Sequence, residues 1–280
     1  MNESPVRIEQ QDADELRAHY TWKKKALEGG SVVVFTGLVA AMVVRLMQAT
    51  DLWAHGWLLL VAFLVGMIAA DFVSGFVHWL ADTWGTVELP ILGPTLVKNF
   101  REHHAAPRDL AKKGLIETNG DNCMVLIPVQ VGVLLMPIDG SAFCVLFHAF
   151  ALSFAFWIML TNQIHKWAHM RRKDLWLPVR ALQRAGVFLT VSEHAKHHTV
   201  PFESHYCITN GWMNGPLQRV RFFRTLERII WRVSGMIPRE NDIGTHAAVA
   251  VAVKQGILPE GFQPTRHIVG TQSTPTRSLS

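Results

Sequence analysis

Three imidazoles fall within five positions at His194, His197 and His198, in the stretch SEHAKHHTVPF. On a helix this HxxHH spacing brings His194 and His198 onto one face, with His197 adjoining. Similar groups occur three more times. His165 and His169 stand four apart in NQIHKWAH, His103 and His104 are adjacent in FREHHAAP, and His78 precedes Asp82 by four residues in HWLAD. Neutral imidazole is the commonest protein metal ligand, so eight histidines and one carboxylate in four groups predict metal binding. A zinc site uses three or four protein donors. Nine candidates therefore suit two ions better than one.

The donor types narrow the chemistry further. A zinc protease of the HExxH kind needs a glutamate beside its first histidine as general base, whereas HKWAH places Lys166 there. Iron held by nitrogen donors with open positions activates O2, and two irons share the electron demand of cleaving an unactivated C–H bond. Asp71 lies seven residues before His78 on the same helical stripe. It reads either as an ion pair with Arg45 or as a carboxylate that orients His78. Asn162, one turn before His165, is a candidate for acting through a water. His148, alone in an apolar run, reads as hydrogen-bonded to a neighbouring helix.

The elements that must position these residues are greasy. Of 280 residues 49% are hydrophobic and 18% charged, a skew that points to lipid. Apolar runs occupy 31–50, 57–80, 123–137 and 141–165, against the roughly 20 residues a spanning helix needs. The third is short and carries Pro128, so a buried helix is its other reading. Basic residues mark the cytoplasmic side. Lys23 to Lys25, the segment holding Lys98, Arg101, Arg108, Lys112 and Lys113, and Arg171 to Lys173 share one side if four helices cross. Both termini and all four histidine groups then face the cytoplasm. The expected fold is all-α: a multi-pass membrane protein of about four transmembrane helices with a cytoplasmic helical cap carrying a His-rich di-metal site.

Residues 1–30 read as a polar cytoplasmic segment without a cleaved signal, 31–233 as the membrane-embedded domain, and 234–280 as a partly disordered tail. Within the cap, 178–191 and 216–233 carry helical periodicity. The second has Phe222, Phe223, Leu226, Ile229, Ile230 and Val233 on one face and Arg221, Arg224, Arg228 and Arg232 on the other, suited to lying on a bilayer or packing on the cap. The net charge of +5 follows from the basic flanks and implies contact with anionic headgroups, not nucleic acid. Three scattered cysteines suit a reducing compartment. With no GxGxxG loop and no CxxCH motif, electrons must come from a separate protein.

The motifs FVSGFVHWLADTWG, FREHHAAP, NQIHKWAH and HAKHHTVPFESHYCITNGWMN, in order over residues 57–232, resemble the Kua or plasmanylethanolamine desaturase family, and within it the bacterial CarF-type members. The resemblance implies a non-haem di-iron desaturase in the membrane, which uses O2 to turn an alkyl ether phospholipid into the vinyl ether of a plasmalogen. It implies two iron ions held by His78, Asp82, His103, His104, His165, His169, His194, His197 and His198. Asp71, Asn162 and His205 stand behind them, and the position of His205 does not require histidine in relatives. It further implies an electron donor such as a cytochrome b5-like protein or a ferredoxin with its reductase. The location is the inner membrane if the chain is bacterial and the endoplasmic reticulum if eukaryotic. Light-induced carotenogenesis is associated with the CarF-type members. Two alternatives stand beside this one. Another branch of the family desaturates an acyl chain, and from a different class a metal sensor or transporter would need polar groups inside its spans, where this chain offers mainly Arg45, Asp71 and His148.

Overall fold

The computed structural model describes residues 21–90, 93 and 97–263, and every regular element among them is helical. The polar segment before Thr21 and the end of the tail from Pro264 lie outside the described residues. Four long helices form the body: α1 (Trp22–Ala49), α2 (Leu52–Trp84), α5 (Leu115–Leu135) and α6 (Ala142–Ala168). Two short helices, α3 (Lys98–Ala105) and α4 (Pro107–Leu110), lie between the pairs. Beyond α6 follow α7 (Leu177–Arg184), α8 (Val191–His197), α9 (Asn214–Arg219), α10 (Phe222–Ser234), α11 (Glu240–Ile243) and α12 (Thr245–Lys254). By length and composition α1, α2 and α6 are able to cross a membrane. The protein is accordingly a helical membrane protein.

Side chains cap the three longest helices in the expected way. Thr21 Oγ1 accepts from the amide of Lys24, Asp51 from those of Trp53 and Ala54, and Ser141 from that of Cys144. Leu146 and Phe150 of α6 and Leu59 of α2 gather around the buried Leu58, Ala62 and Val145. Gly66 permits this closeness, because a Cβ there would collide with Ser153. Lys166 near the end of α6 donates to the Lys113 carbonyl just before α5, and Arg45 near the end of α1 donates to the carbonyls of Leu134 and Met136 at the end of α5. So α1 and α5 run one way while α6 runs back. At 33 residues α2 is about 50 Å long, against a hydrocarbon core of roughly 30 Å. Its last turn, with Asp82, extends past the apolar stretch, and His78 lies near that stretch's end.

Several expectations change. Arg45 is spent on two carbonyls, and Asp71 neither pairs with it nor touches His78. Instead Asp71 Oδ1 accepts from the amides of Thr209, Asn210 and Gly211 at 3.1, 2.9 and 2.9 Å, and Oδ2 from Met213 at 3.0 Å. The fully buried carboxylate thus clamps an irregular segment of the cap to α2. Ser74 Oγ accepts from the Ile208 amide alongside it, and Gly75 leaves the space that Cys207 fills. His148 bonds the Cys144 carbonyl of its own helix at 2.8 Å, not a neighbouring helix. The stretch 178–191 is helical only through Arg184, and 216–233 is broken at Arg221, whose φ of +55° separates α9 from α10. In α10 the inner face is Phe223 with Glu227, while Ile229 and Val233 are exposed. The tail up to residue 263 carries α11, α12 and a small core of Ile237, Ala248, Ala252, Ile257 and Leu258.

Replacing Asp71 with alanine leaves four donors in a buried segment without their acceptor, which costs about 3 kcal/mol or more. Asp71→Asn keeps one carbonyl oxygen and falls between. Thermal unfolding of the detergent-solubilised protein is expected to rank wild type above D71N above D71A; equal midpoints for all three contradict the clamp.

Candidate metal centre

All four histidine groups meet at one end of the bundle. His78 and Asp82 come from the last turns of α2, His103 and His104 from α3, His165 and His169 from the end of α6, and His194, His197 and His198 from α8 and its C-cap. In the first cluster the Nε2 atom of His194 lies 2.8 Å from that of His165, 2.9 Å from His169 and 3.0 Å from His198, and His165 and His169 are 3.1 Å apart. In the second, Asp82 Oδ2 lies 3.3 Å from His78 Nε2, 3.5 Å from His197 Nε2 and 3.8 Å from His104 Nε2, and the last two nitrogens are 3.0 Å apart. His103 belongs to both: donor atoms of His103, His165, His169, His194 and His198 lie within 4.8 Å of one another, and so do those of His78, His103, His104 and His197.

Proton bookkeeping identifies what this arrangement lacks. A neutral imidazole nitrogen either donates one hydrogen or offers one lone pair, so His194 Nε2 satisfies at most one of its three close neighbours. His78 Nδ1 faces the Tyr206 carbonyl at 3.0 Å and His197 Nδ1 the Ser204 carbonyl at 2.9 Å. Carbonyls only accept, so both Nδ1 atoms donate and both Nε2 atoms carry lone pairs aimed towards Asp82. His103 Nε2 and His78 Nε2 are buried without a hydrogen-bond partner. Lone pairs converging from all sides fit a cation. Two nitrogens ~2.1 Å from one ion lie ~3.0 Å apart at a right angle, which is the spacing found. The residues present therefore fit metal ions, and nitrogen-rich sets with one carboxylate fit a redox metal as well as zinc.

Burial keeps the rings neutral. It pulls His103 and His194 well below the usual imidazole range, His169 and His197 down to about 3 and His198 to about 4, with neighbouring rings adding to the effect at His103, His169, His194 and His197. Aromatic rings close the site. Phe100 lies 4.6 Å from His78, and Phe202, with a φ of +57°, stacks on His104 at 4.2 Å.

Of the lesser candidates, Asn162 is half-buried one turn before His165 on α6, and His205 stands outside both clusters, 3.5 Å from Glu193. Residues that sequence reasoning passed over sit behind the histidines instead. Glu227, fully buried, is gripped by Arg239 through two bonds of 3.1 Å, by Arg224, and by the Trp79 indole at 2.9 Å. Arg224 and Arg239 both reach the Tyr206 hydroxyl at 3.4 Å. The sign was a lone acid among arginines, four residues after Phe223 and so on its face.

Residues 67–241, well over half of the chain, match the lipid desaturase domain. The chain belongs to the lipid desaturase family. It is 44% identical over 252 residues to plasmanylethanolamine desaturase of Myxococcus xanthus, covering 89% of this chain and 87% of that one. Identity to plasmanylethanolamine desaturase 1 of Mus musculus is 39% over 247 residues, 82% of this chain and 86% of that one. Chloroplastic fatty acid desaturase 4 of Arabidopsis thaliana is 33% identical over 174 residues, 62% of this chain and 52% of that one. No solved structure matches the chain. Both histidine clusters of this lipid desaturase lie inside the matched domain.

A sign follows for pH. Unfolded histidines titrate near 6.5, above their folded values here, so below about pH 6.5 the unfolded chain binds protons that the folded one refuses. Their stabilising contribution is complete above that pH and is lost progressively as pH falls towards 3 to 4. Metal-free protein is expected to lose thermal stability steadily from pH 7 to pH 4.5, and a variant with His197 and His198 replaced by glutamine to lose less. Identical slopes contradict buried neutral imidazoles.

Proposed function

We propose that the chain is a di-iron plasmanylethanolamine desaturase, which introduces the vinyl ether double bond into the alkyl chain of an ether phospholipid. The observation that carries this reading is the pair of histidine clusters joined at His103, at the end of membrane-length helices. Two relatives named plasmanylethanolamine desaturase, matched over more than four fifths of their length, support the substrate. His165, His169, His194 and His198 would hold one iron and His78, Asp82, His104 and His197 the other, with His103 between them. When bound, the irons supply the redox chemistry that couples O2 reduction to C–H oxidation.

The chain's own residues prepare that reaction. The Tyr206 and Ser204 carbonyls fix the tautomers of His78 and His197. Phe100 and Phe202 exclude water. The lipid loses one hydrogen from the carbon next to the ether oxygen and one from its neighbour. With two protons and two electrons from a donor protein, one O2 leaves as two waters. In this reading four helices cross, α5 included, both termini and the centre face the cytoplasm, and an alkyl chain reaches the clusters from the adjoining leaflet. The donor would be a cytochrome b5-like protein or a ferredoxin.

The Arabidopsis relative named as a fatty acid desaturase favours a second reading, acyl desaturation at the same centre. A sensor or transporter is less supported, since Arg45, Asp71 and the His148 Nδ1 are all engaged by backbone groups.

Lipid mass spectrometry of cells with and without the chain separates these readings: acid-labile vinyl ethers are expected to appear with it, whereas a new unsaturated fatty acid supports the acyl reaction. His165→Ala and His198→Ala are each expected to lower product at least ~100-fold, the scale for losing groups that act as a unit, with membrane insertion retained. Full activity of either variant contradicts the assignment.

A further inference from the structure

A cavity of about 310 Å3 opens behind the metal centre, at the small end of the range for ligand pockets. Glu203 and His205 line it from one side, Gln218 from α9, and Arg221, Phe222 and Arg224 from the start of α10. The Ser204 carbonyl that holds His197 belongs to residues 203–205, which line the cavity, and the Tyr206 carbonyl that holds His78 follows directly.

The charge on this cavity is set by what its floor leaves over. Arg224 and Arg239 share the single carboxylate of Glu227, with Arg224 also donating to the Gln255 side chain and the Glu203 carbonyl, and Arg221 adds a third guanidinium that donates to the Gln255 carbonyl at 3.3 Å. Helix α10 also begins here without a side-chain cap, so the amides of its first turn, on cavity-lining residues, are donors to spare. Glu203 is the one carboxylate among the lining residues. An anion thus has guanidiniums and amides to meet, and an ammonium beside it has Glu203.

Distance within the lipid links the two places. Six covalent bonds join the alkyl carbon oxidised in an ether phospholipid to its phosphorus, a reach of about 8 Å at ~1.5 Å per bond. A lipid whose alkyl carbon meets the clusters must therefore place its phosphodiester within about 8 Å of them. Resting on the desaturase reading, we propose that this cavity seats the substrate's phosphoethanolamine headgroup, with the phosphodiester on Arg221 and the α10 amides and the ammonium on Glu203. Selection among headgroups then resides in residues 203 to 224, separate from the iron ligands.

The test uses full-length protein in detergent, titrated with three lipids that share an alkyl and an acyl chain: a phosphoethanolamine, a phosphocholine and the headgroup-free alkylacylglycerol. Arg221→Gln is expected to weaken binding of both phospholipids about tenfold, the value of a charge-assisted contact, and to leave the glycerolipid unchanged. Arg221→Lys is expected to restore most of the loss. Glu203→Gln is expected to remove the preference for phosphoethanolamine over phosphocholine. Free phosphoethanolamine should compete; competition by inorganic phosphate at equal strength indicates a free-anion site and overturns the proposal. Wild-type affinities for R221Q, or an unaltered preference in E203Q, overturn it too, while vinyl ether formation in the same cells leaves the desaturase reading standing. Headgroup binding lost in R221Q where wild type makes no vinyl ether has the opposite meaning: the cavity is right and the reaction wrong. Melting midpoints matched to wild type establish that each variant is folded.

Discussion

Three ring nitrogens within 3.1 Å of one another, with a fourth 3.0 Å from one of them and each able to carry a single proton, are a repulsive arrangement unless something positive lies between them. This convergence is the constraint on which the protein is built. Burial forbids relieving it by protonation, since charged imidazoles without counter-ions are costly there. It also forbids relieving it with bulk water. A bound metal ion would complete the cluster and relieve the repulsion, so that folding energy is held in reserve for binding.

Holding the rings against their mutual repulsion takes rigid supports, and the chain provides them from buried polar groups. Asp71 ties residues 209–213 to α2 through four amides, and Asn214 bonds both backbone groups of Cys207, at 2.9 and 3.1 Å. Glu227 with its two arginines braces Tyr206 from the other side. Irregular backbone near a bilayer survives only where its donors and acceptors are met within the protein. Segment 203–214 satisfies that condition, and its carbonyls in turn aim His78 and His197. A structural carboxylate in α2 and a salt bridge in the cap are thereby coupled to the geometry of His78 and His197, which neither touches.

Much of this was legible before any coordinates. Hydropathy and length mark α1, α2 and α6, because spanning helices have a strong compositional signature, and i, i+4 spacing places His165 with His169 and His194 with His198. The charged flanks predict that the histidine groups share one end, and they do. What escaped were roles set by tertiary contacts. Asp71 has the stripe position of a partner for His78, yet a loop 138 residues further on takes its oxygens. Glu227 carried no expectation because its partner Arg239 lies in a tail that the sequence marks as partly disordered. Arg221 sits in a run of perfect helical period, and only its left-handed backbone reveals the break that opens the cavity. Local pattern reports the period of an element; which face is inward depends on what arrives from elsewhere in the chain.

X-ray absorption at the iron edge, on protein purified from iron-supplied cells, examines the centre itself. The account predicts two irons per chain, each with a nitrogen and oxygen shell near ~2.1 Å showing the outer scattering of several imidazole rings. Iron below one per chain after such purification, or a shell dominated by sulfur, contradicts it.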